Sequence, residues 1–137
     1  MNEHTEPPRD DTTTIQELKN LIVRFRDERG WRTHHSPKNL AMSIAIEAAE
    51  LMEHFQWDDY SGANKQDIAD ELSDVLLYCL NLADVLDIDV ATAYRSKLQR
   101  AIEKYPTTIF SPDHDSAEEY VRIKKAYRAK KATGDAA

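Results

Sequence analysis

Two pairs of acidic residues stand out by their spacing: Glu47 with Glu50 and, after twenty intervening residues, Glu71 with Asp74. Residues three apart face each other on a helix surface, so each pair offers two carboxylates to one side of a helix. Two such helices, packed antiparallel across a short turn, bring four carboxylates into one groove. Lys and Arg are absent from the first of these stretches after Lys38 and from the second after Lys65. Internal salt bridges therefore cannot neutralise the group, and unpaired charge beside buried surface is costly. Clustered hard oxygens without local cations call for a hard divalent ion, Mg²⁺ or Mn²⁺. The competing reading is a solvated acidic face, which suits a single Glu better than a paired pattern beside an apolar run.

The elements that carry these acids read as helices. With only 3 Gly in 137 residues there are few tight turns for hairpins, and no segment alternates convincingly. The fold class is all-α. Thr13 or Thr14 caps a first helix, with Glu17 at capping-box distance from Thr14, an apolar stripe through Ile15, Leu18, Leu21 or Ile22 and Phe25, and a stop at Gly30. Residues 31–39 read as a loop, because Pro37 pushes Ser36 out of helical angles. A second helix runs from about Asn39, a candidate cap, to Trp57. After a turn over 58–65, a third runs from Lys65 to Leu86, broken by Asp87 to Asp89. A fourth covers Val90 to Lys104. A last, basic helix starts at Asp115 or Ser116 and reaches about Lys131.

On the second helix, Leu40, Ile44, Ala48, Leu51 and Phe55 share a face. At about 100° per residue, Glu47 lies about 60° from its centre, Glu50 about 120°, and Glu53 opposite. Glu47 thus borders the core and Glu53 faces solvent. On the third helix, Ile68, Leu72, Val75, Cys79, Ala83 and Leu86 form the main face, but residues 75–86 are apolar nearly all round. Such a helix is surrounded by protein, and a chain this short has few helices to surround it, which points to contacts between copies. Glu71 and Asp74 share a stripe with Tyr78.

Composition removes other classes. At 137 residues, 41% hydrophobic and 31% charged, a single soluble domain is expected. No apolar run approaches the ~20 residues of a membrane span, and the first residues lack the basic and apolar regions of a signal peptide. Cys79 is the one cysteine, so disulfides within the chain and cysteine zinc sites are excluded, and the cytoplasm is the expected compartment. The net charge of −7 repels nucleic acid, which is not an expected partner. Basic residues are nevertheless segregated: residues 122–137 hold 6 of them against one acid, Asp135.

More than the acids has a pattern. ERGW (28–31), HSPKN (35–39), LMEHFQW (51–57), ADELSDVLLY (69–78) and SKLQRAIEKYP (96–106) follow one another in the order and spacing of the MazG-like all-α nucleoside triphosphate pyrophosphatases, whose hallmark is ExxE, a spacer and ExxD. The sequence resembles the short dCTP-pyrophosphatase type over about residues 14–110, leaving a tail at 1–13 and a basic extension at 111–137. The resemblance implies a four-helix bundle core with an extra C-terminal helix, assembled as a homodimer or a homotetramer built as a dimer of dimers. It implies Mg²⁺-dependent cleavage of an NTP or dNTP between the α and β phosphates, clearing dCTP or non-standard nucleotides. By position, Glu47, Glu50, Glu71 and Asp74 would hold the metal, and Glu50 would activate the attacking water. Lys38, Lys97 and Lys104 would meet the phosphates, with Tyr78 and Tyr105 as hydrogen-bond donors. Trp31 and Trp57 would stack on the base, and His35 would touch base or phosphate. Arg100 is a weaker phosphate candidate. Where the family often has Asn, Ala101 stands here.

Two other readings compete. A di-iron carboxylate bundle uses Glu-x-x-His pairs, but Glu50 is followed at that spacing by Glu53 and Glu71 by Asp74. A helical interaction module would use the basic segment from Arg122 to Lys131, striped by Tyr120, Ile123 and Tyr127, to dock an acidic partner.

Overall fold

The described residues form five α-helices and one 3-10 turn: α1 (Ile15–Glu28), the 3-10 turn Trp31–His34, α2 (Pro37–Glu53), α3 (Lys65–Val85), α4 (Val90–Lys104) and α5 (Ala117–Ala132). The computed structural model describes residues 8–57, 60, 62 and 64–134. Residues 1–7 of the expected tail, residues 58, 59, 61 and 63 of the expected turn, and residues 135–137 lie outside the described residues. Among the described residues there is no strand, and no helix is long and apolar enough to cross a membrane. The all-α class is the one the chain adopts.

Local chemistry sets the helix ends. The Thr14 backbone N–H donates to the Glu17 carboxylate at 2.6 Å, and the Glu17 N–H donates to Thr14 Oγ at 3.1 Å, a complete capping box. Past the last turn of α1, Gly30 takes φ 66°, a left-handed conformation that only a residue without Cβ adopts at no steric cost. The start of α2 differs from the expected Asn39. The helix begins at Pro37, whose missing N–H is harmless in the first turn, and Ser36 caps it by accepting from the Asn39 N–H at 3.2 Å. The Asn39 side chain instead donates to the His34 carbonyl at 3.0 Å. The expected loop at 31–39 therefore contains a 3-10 turn, and α2 ends at Glu53, short of Trp57. At α5, Ser116 occupies the cap position without a side-chain cap bond, and the Asp115 carboxylate accepts from the Ala117 N–H at 3.1 Å.

The chain divides after Val90 into two compact units. In the first, α2 and α3 form an antiparallel hairpin: His54 and Asn64 meet at its turn end (3.3 Å), and Glu47 meets Glu71 and Asp74 further in. Helix α1 also runs antiparallel to α3, since Arg26 reaches Asp84 at 2.8 Å while Lys19 donates to the Ile88 carbonyl at 3.2 Å. Leu40 and Ala83 are the fully buried apolar side chains among the described residues. Arg26 and Asn81 are buried with them, at 0% and 2% exposure. Meanwhile Leu72 and Leu76 on α3, Leu86 just past its end, and Met42 and Ile46 on α2 are exposed to about half their area. In the second unit, Tyr105 stacks on Tyr120 at 5.5 Å and meets Phe110 edge-on at 5.3 Å, joining the end of α4 to α5.

Candidate metal centre

Glu47 of α2 and Glu71 and Asp74 of α3 converge: one carboxylate oxygen of each lies within 4.8 Å of the other two. All three are half-buried. The spacing explains the meeting. Glu47 borders the apolar face that α2 presents to α3, and Glu71 and Asp74, three apart, offer two oxygens from one stripe of α3. Glu50, one turn on and further round α2, is exposed and stands outside the trio. Its charge still acts there. Burial holds the Glu47 carboxyl above the usual carboxylate range, and Glu50, Asp74 and Glu71, in that order, push it higher.

Such a donor set fits a hard divalent ion. Three carboxylate oxygens with no Lys or Arg ion-paired to them among the described residues repel one another, and Mg²⁺ or Mn²⁺ accepts oxygen ligands. The raised Glu47 carboxyl gives a test. In the folded chain it holds its proton more tightly than in the unfolded one. Its ionisation therefore destabilises the metal-free fold as pH climbs through the ordinary carboxylate range to the raised value. In EDTA at pH 7, Glu47→Gln should raise the melting temperature by a degree or two, corresponding to about 0.5 kcal/mol after screening. At pH 4 that gain should vanish. With Mg²⁺ in excess the order should reverse, the wild type melting higher; a variant that melts lower in EDTA would contradict mutual repulsion at the trio.

The other sequence-predicted residues fall as follows. Trp31 sits in the 3-10 turn, 45% exposed, edge-on to Phe25 at 5.7 Å. Trp57 lies beyond the end of α2 and is 85% exposed. His35 is half-buried and its Nδ1 is buried without a partner among the described residues, whereas Lys38 is exposed. Tyr78 is half-buried one turn beyond Asp74. In the second unit, Lys97, Lys104 and Tyr105 line one groove together with Arg100 and Ala101. The Lys104 ammonium lies 3.7 Å from the Tyr127 ring centroid and 5.2 Å from that of Tyr105.

A model of the MazG-like family matches residues 42–122. The chain belongs to the MazG-like family. The MazG-like match takes in all four acids, α3 and α4. Among curated relatives, the human (Homo sapiens) dCTP pyrophosphatase 1 is 33% identical over 101 residues, covering 68% of this chain and 59% of that protein, and the rat (Rattus norvegicus) dCTP pyrophosphatase 1 is 32% identical with the same coverage. This MazG-like chain thus spans about three-fifths of the length of those relatives. Among solved structures, a pyrophosphatase of Archaeoglobus fulgidus DSM 4304 matches with a TM-score of 0.63 and 39% identity, over 73% of this chain and 99% of that one.

Sequence reasoning passed over a polar group in the first unit. Arg26 Nε donates to Asp27 at 2.8 Å and its NH1 to Asp84 at 2.8 Å, while Arg26 NH2 and Asn81 Oδ1 are buried without a partner among the described residues. The signal was present. Asp84 is the one charged residue in 75–86, and Arg26 follows Ile22 by four on the inner stripe of α1. Cys79, on the same helix, has its thiol pushed up by burial, which fits a packing residue rather than a nucleophile.

Proposed function

We propose that this chain is a divalent-metal-dependent nucleoside triphosphate pyrophosphatase, which hydrolyses an NTP or dNTP to the monophosphate and pyrophosphate. The observation that carries the reading is the convergence of Glu47, Glu71 and Asp74, without an ion-paired Lys or Arg among the described residues, in a MazG-like chain. The names of its relatives, dCTP pyrophosphatase 1 and a pyrophosphatase, support the reaction and dCTP as substrate; a non-standard nucleotide is the alternative substrate. The trio, with Glu50 at its edge, would hold Mg²⁺, or Mn²⁺ in its place, which when bound would supply positive charge against the triphosphate. Glu50 is the residue that takes a proton from the water attacking the α-phosphorus. It is exposed beside the trio rather than committed within it, which suits a base better than a buried ligand. Lys38, Lys97, Lys104, Tyr78 and Tyr105 bind and orient the phosphates, and Trp31, Trp57 and His35 receive the base.

The enzyme works as a homo-oligomer, a tetramer built as a dimer of dimers, in the cytoplasm. The support is the apolar surface that one chain leaves uncovered on α2 and α3, because exposed patches of that kind mark protein–protein contacts. The test is pyrophosphate release from a panel of eight NTPs and dNTPs. With Mg²⁺ present, one or a few pyrimidine deoxynucleotides should be cleaved to monophosphate, and EDTA should stop the release. Release that persists in EDTA would refute the metal-dependent reading. If no nucleotide is cleaved and none shifts the melting temperature, the chain is an interaction module instead.

A further inference from the structure

The second unit holds a cationic groove that α4 does not build alone. Its volume is about 780 Å³, and it is lined by Lys97, Arg100 and Lys104 from α4 and by Lys124, Arg128 and Lys131 from α5, with Ala101, Tyr105 and Tyr127 between them. No carboxylate lines it, and among the described residues none of the six cations is ion-paired. Arg122, which does pair with Glu119, is not in the lining. The three α5 cations lie beyond residue 122, where the family match ends.

Geometry narrows what fits. On α4 the cations fall at i, i+3 and i+7, and on α5 at i, i+4 and i+7, so each wall carries one row along its helix face. Seven residues of helix rise about 10 Å. Two facing rows of that length match a chain of linked phosphates better than one compact anion, which a single turn's donors would satisfy. The aromatic faces are already engaged: Tyr105 stacks on Tyr120, and the Tyr127 face carries the Lys104 ammonium. A single-stranded nucleic acid needs open rings for its bases to stack on, and the chain's net charge of −7 repels a long polyanion. Ala101, a small residue of the lining, takes up little of the groove.

We infer that the α4–α5 groove binds a linear condensed phosphate of two or more units, with Lys124, Arg128 and Lys131 forming its second wall. The inference builds on the reading of the chain as a triphosphate-cleaving enzyme, where Lys97, Lys104 and Tyr105 already face phosphate. It adds α5 as the element that grips the terminal phosphates, whether they arrive on the nucleotide or as free pyrophosphate or polyphosphate.

The experiment is titration calorimetry of the full-length chain with tripolyphosphate in EDTA, where the carboxylate trio repels phosphate and cannot contribute. Wild type should bind, and Lys124→Gln/Arg128→Gln should weaken binding at least about 10-fold. The control Lys125→Gln/Lys130→Gln removes equal charge from the same helix outside the groove lining and should change binding less than about 3-fold. Circular dichroism confirms that both variants keep α5. Competitive inhibition of nucleotide cleavage by tripolyphosphate identifies the nucleotide's own tail as the occupant; binding without inhibition identifies free condensed phosphate. No binding by wild type, equal losses in the two variants, or tighter binding of oligo-dT than of tripolyphosphate would each overturn the inference. Because binding is read without turnover, these outcomes are separate from the nucleotide panel, whose failure would strike the catalytic reading alone.

Discussion

Glu71→Gln and Asp74→Asn should each lower metal-dependent pyrophosphate release by at least about 100-fold, the scale on which removing one electrostatic partner of the reacting centre acts. Both should also abolish the rise in melting temperature expected of the wild type in excess Mg²⁺, since a ligand stabilises only the state that binds it, by about 2.7 kcal/mol at a hundred times its dissociation constant. Glu50→Gln separates the roles within the acidic group. It stands outside the trio, which lies within 4.8 Å, so its loss should cut the rate by about 100-fold or more while leaving most of the Mg²⁺-induced stabilisation in place. Glu53→Gln, on the solvent side of α2, is the control and should change neither. Steady-state kinetics with a coupled pyrophosphate assay and thermal melts with and without Mg²⁺ decide between these outcomes. A Glu71→Gln variant that still cleaves nucleotide at the wild-type rate would show that the trio is not the reacting centre.

Where an element is dictated by near neighbours, the sequence announces it. The Thr14–Glu17 capping box, the left-handed stop at Gly30 and the limits of α4 all come from residues within a few positions of one another, and all are legible in the sequence. The acidic trio is legible too, because its members are paired at i, i+3 or border a face whose direction the apolar periodicity fixes. The misplaced start of α2 has a local cause: a Pro after a Ser reads equally well as a loop breaker or as the first residue of a capped helix. What the sequence hides is partnership across distance. Nothing adjacent to Arg26 says that it lies at 0% exposure against Asp84, 58 positions away, for Arg on an amphipathic helix ordinarily faces water. The α5 cations look like a solvated basic tail until Tyr120 and Tyr127 are seen against Tyr105 and Lys104. That packing turns a charge run into the wall of a groove.

Arg26 is also where the largest loss of stability is expected. Its side chain is fully enclosed, two of its nitrogens are bound to Asp27 and Asp84, and the partner carboxylates are 45% and 28% exposed. Arg26→Ala removes the cation, opens a cavity between α1 and α3, and deprives Asp84 of the guanidinium that donates to it at 2.8 Å. Breaking a buried pair by removing one partner costs about 3–5 kcal/mol; with Asp84 partly solvated, about 2–4 kcal/mol is expected here, measured by urea unfolding at fixed protein concentration. Two double variants test whether the pair itself is responsible. Arg26→Ala/Asp84→Ala should cost less than the sum of the single changes by about 1–2 kcal/mol, the coupling of residues in direct contact. Arg26→Met/Asp84→Leu, which fills the same space without charge, should recover most of the loss, because well-packed apolar groups replace buried ion pairs at little or no cost. If Arg26→Ala costs less than about 1 kcal/mol, or the two single losses simply add, the Arg26–Asp84 contact does not tie α1 to α3. The packing around Leu40 and Ala83 would then have to hold the acidic helix in place without it.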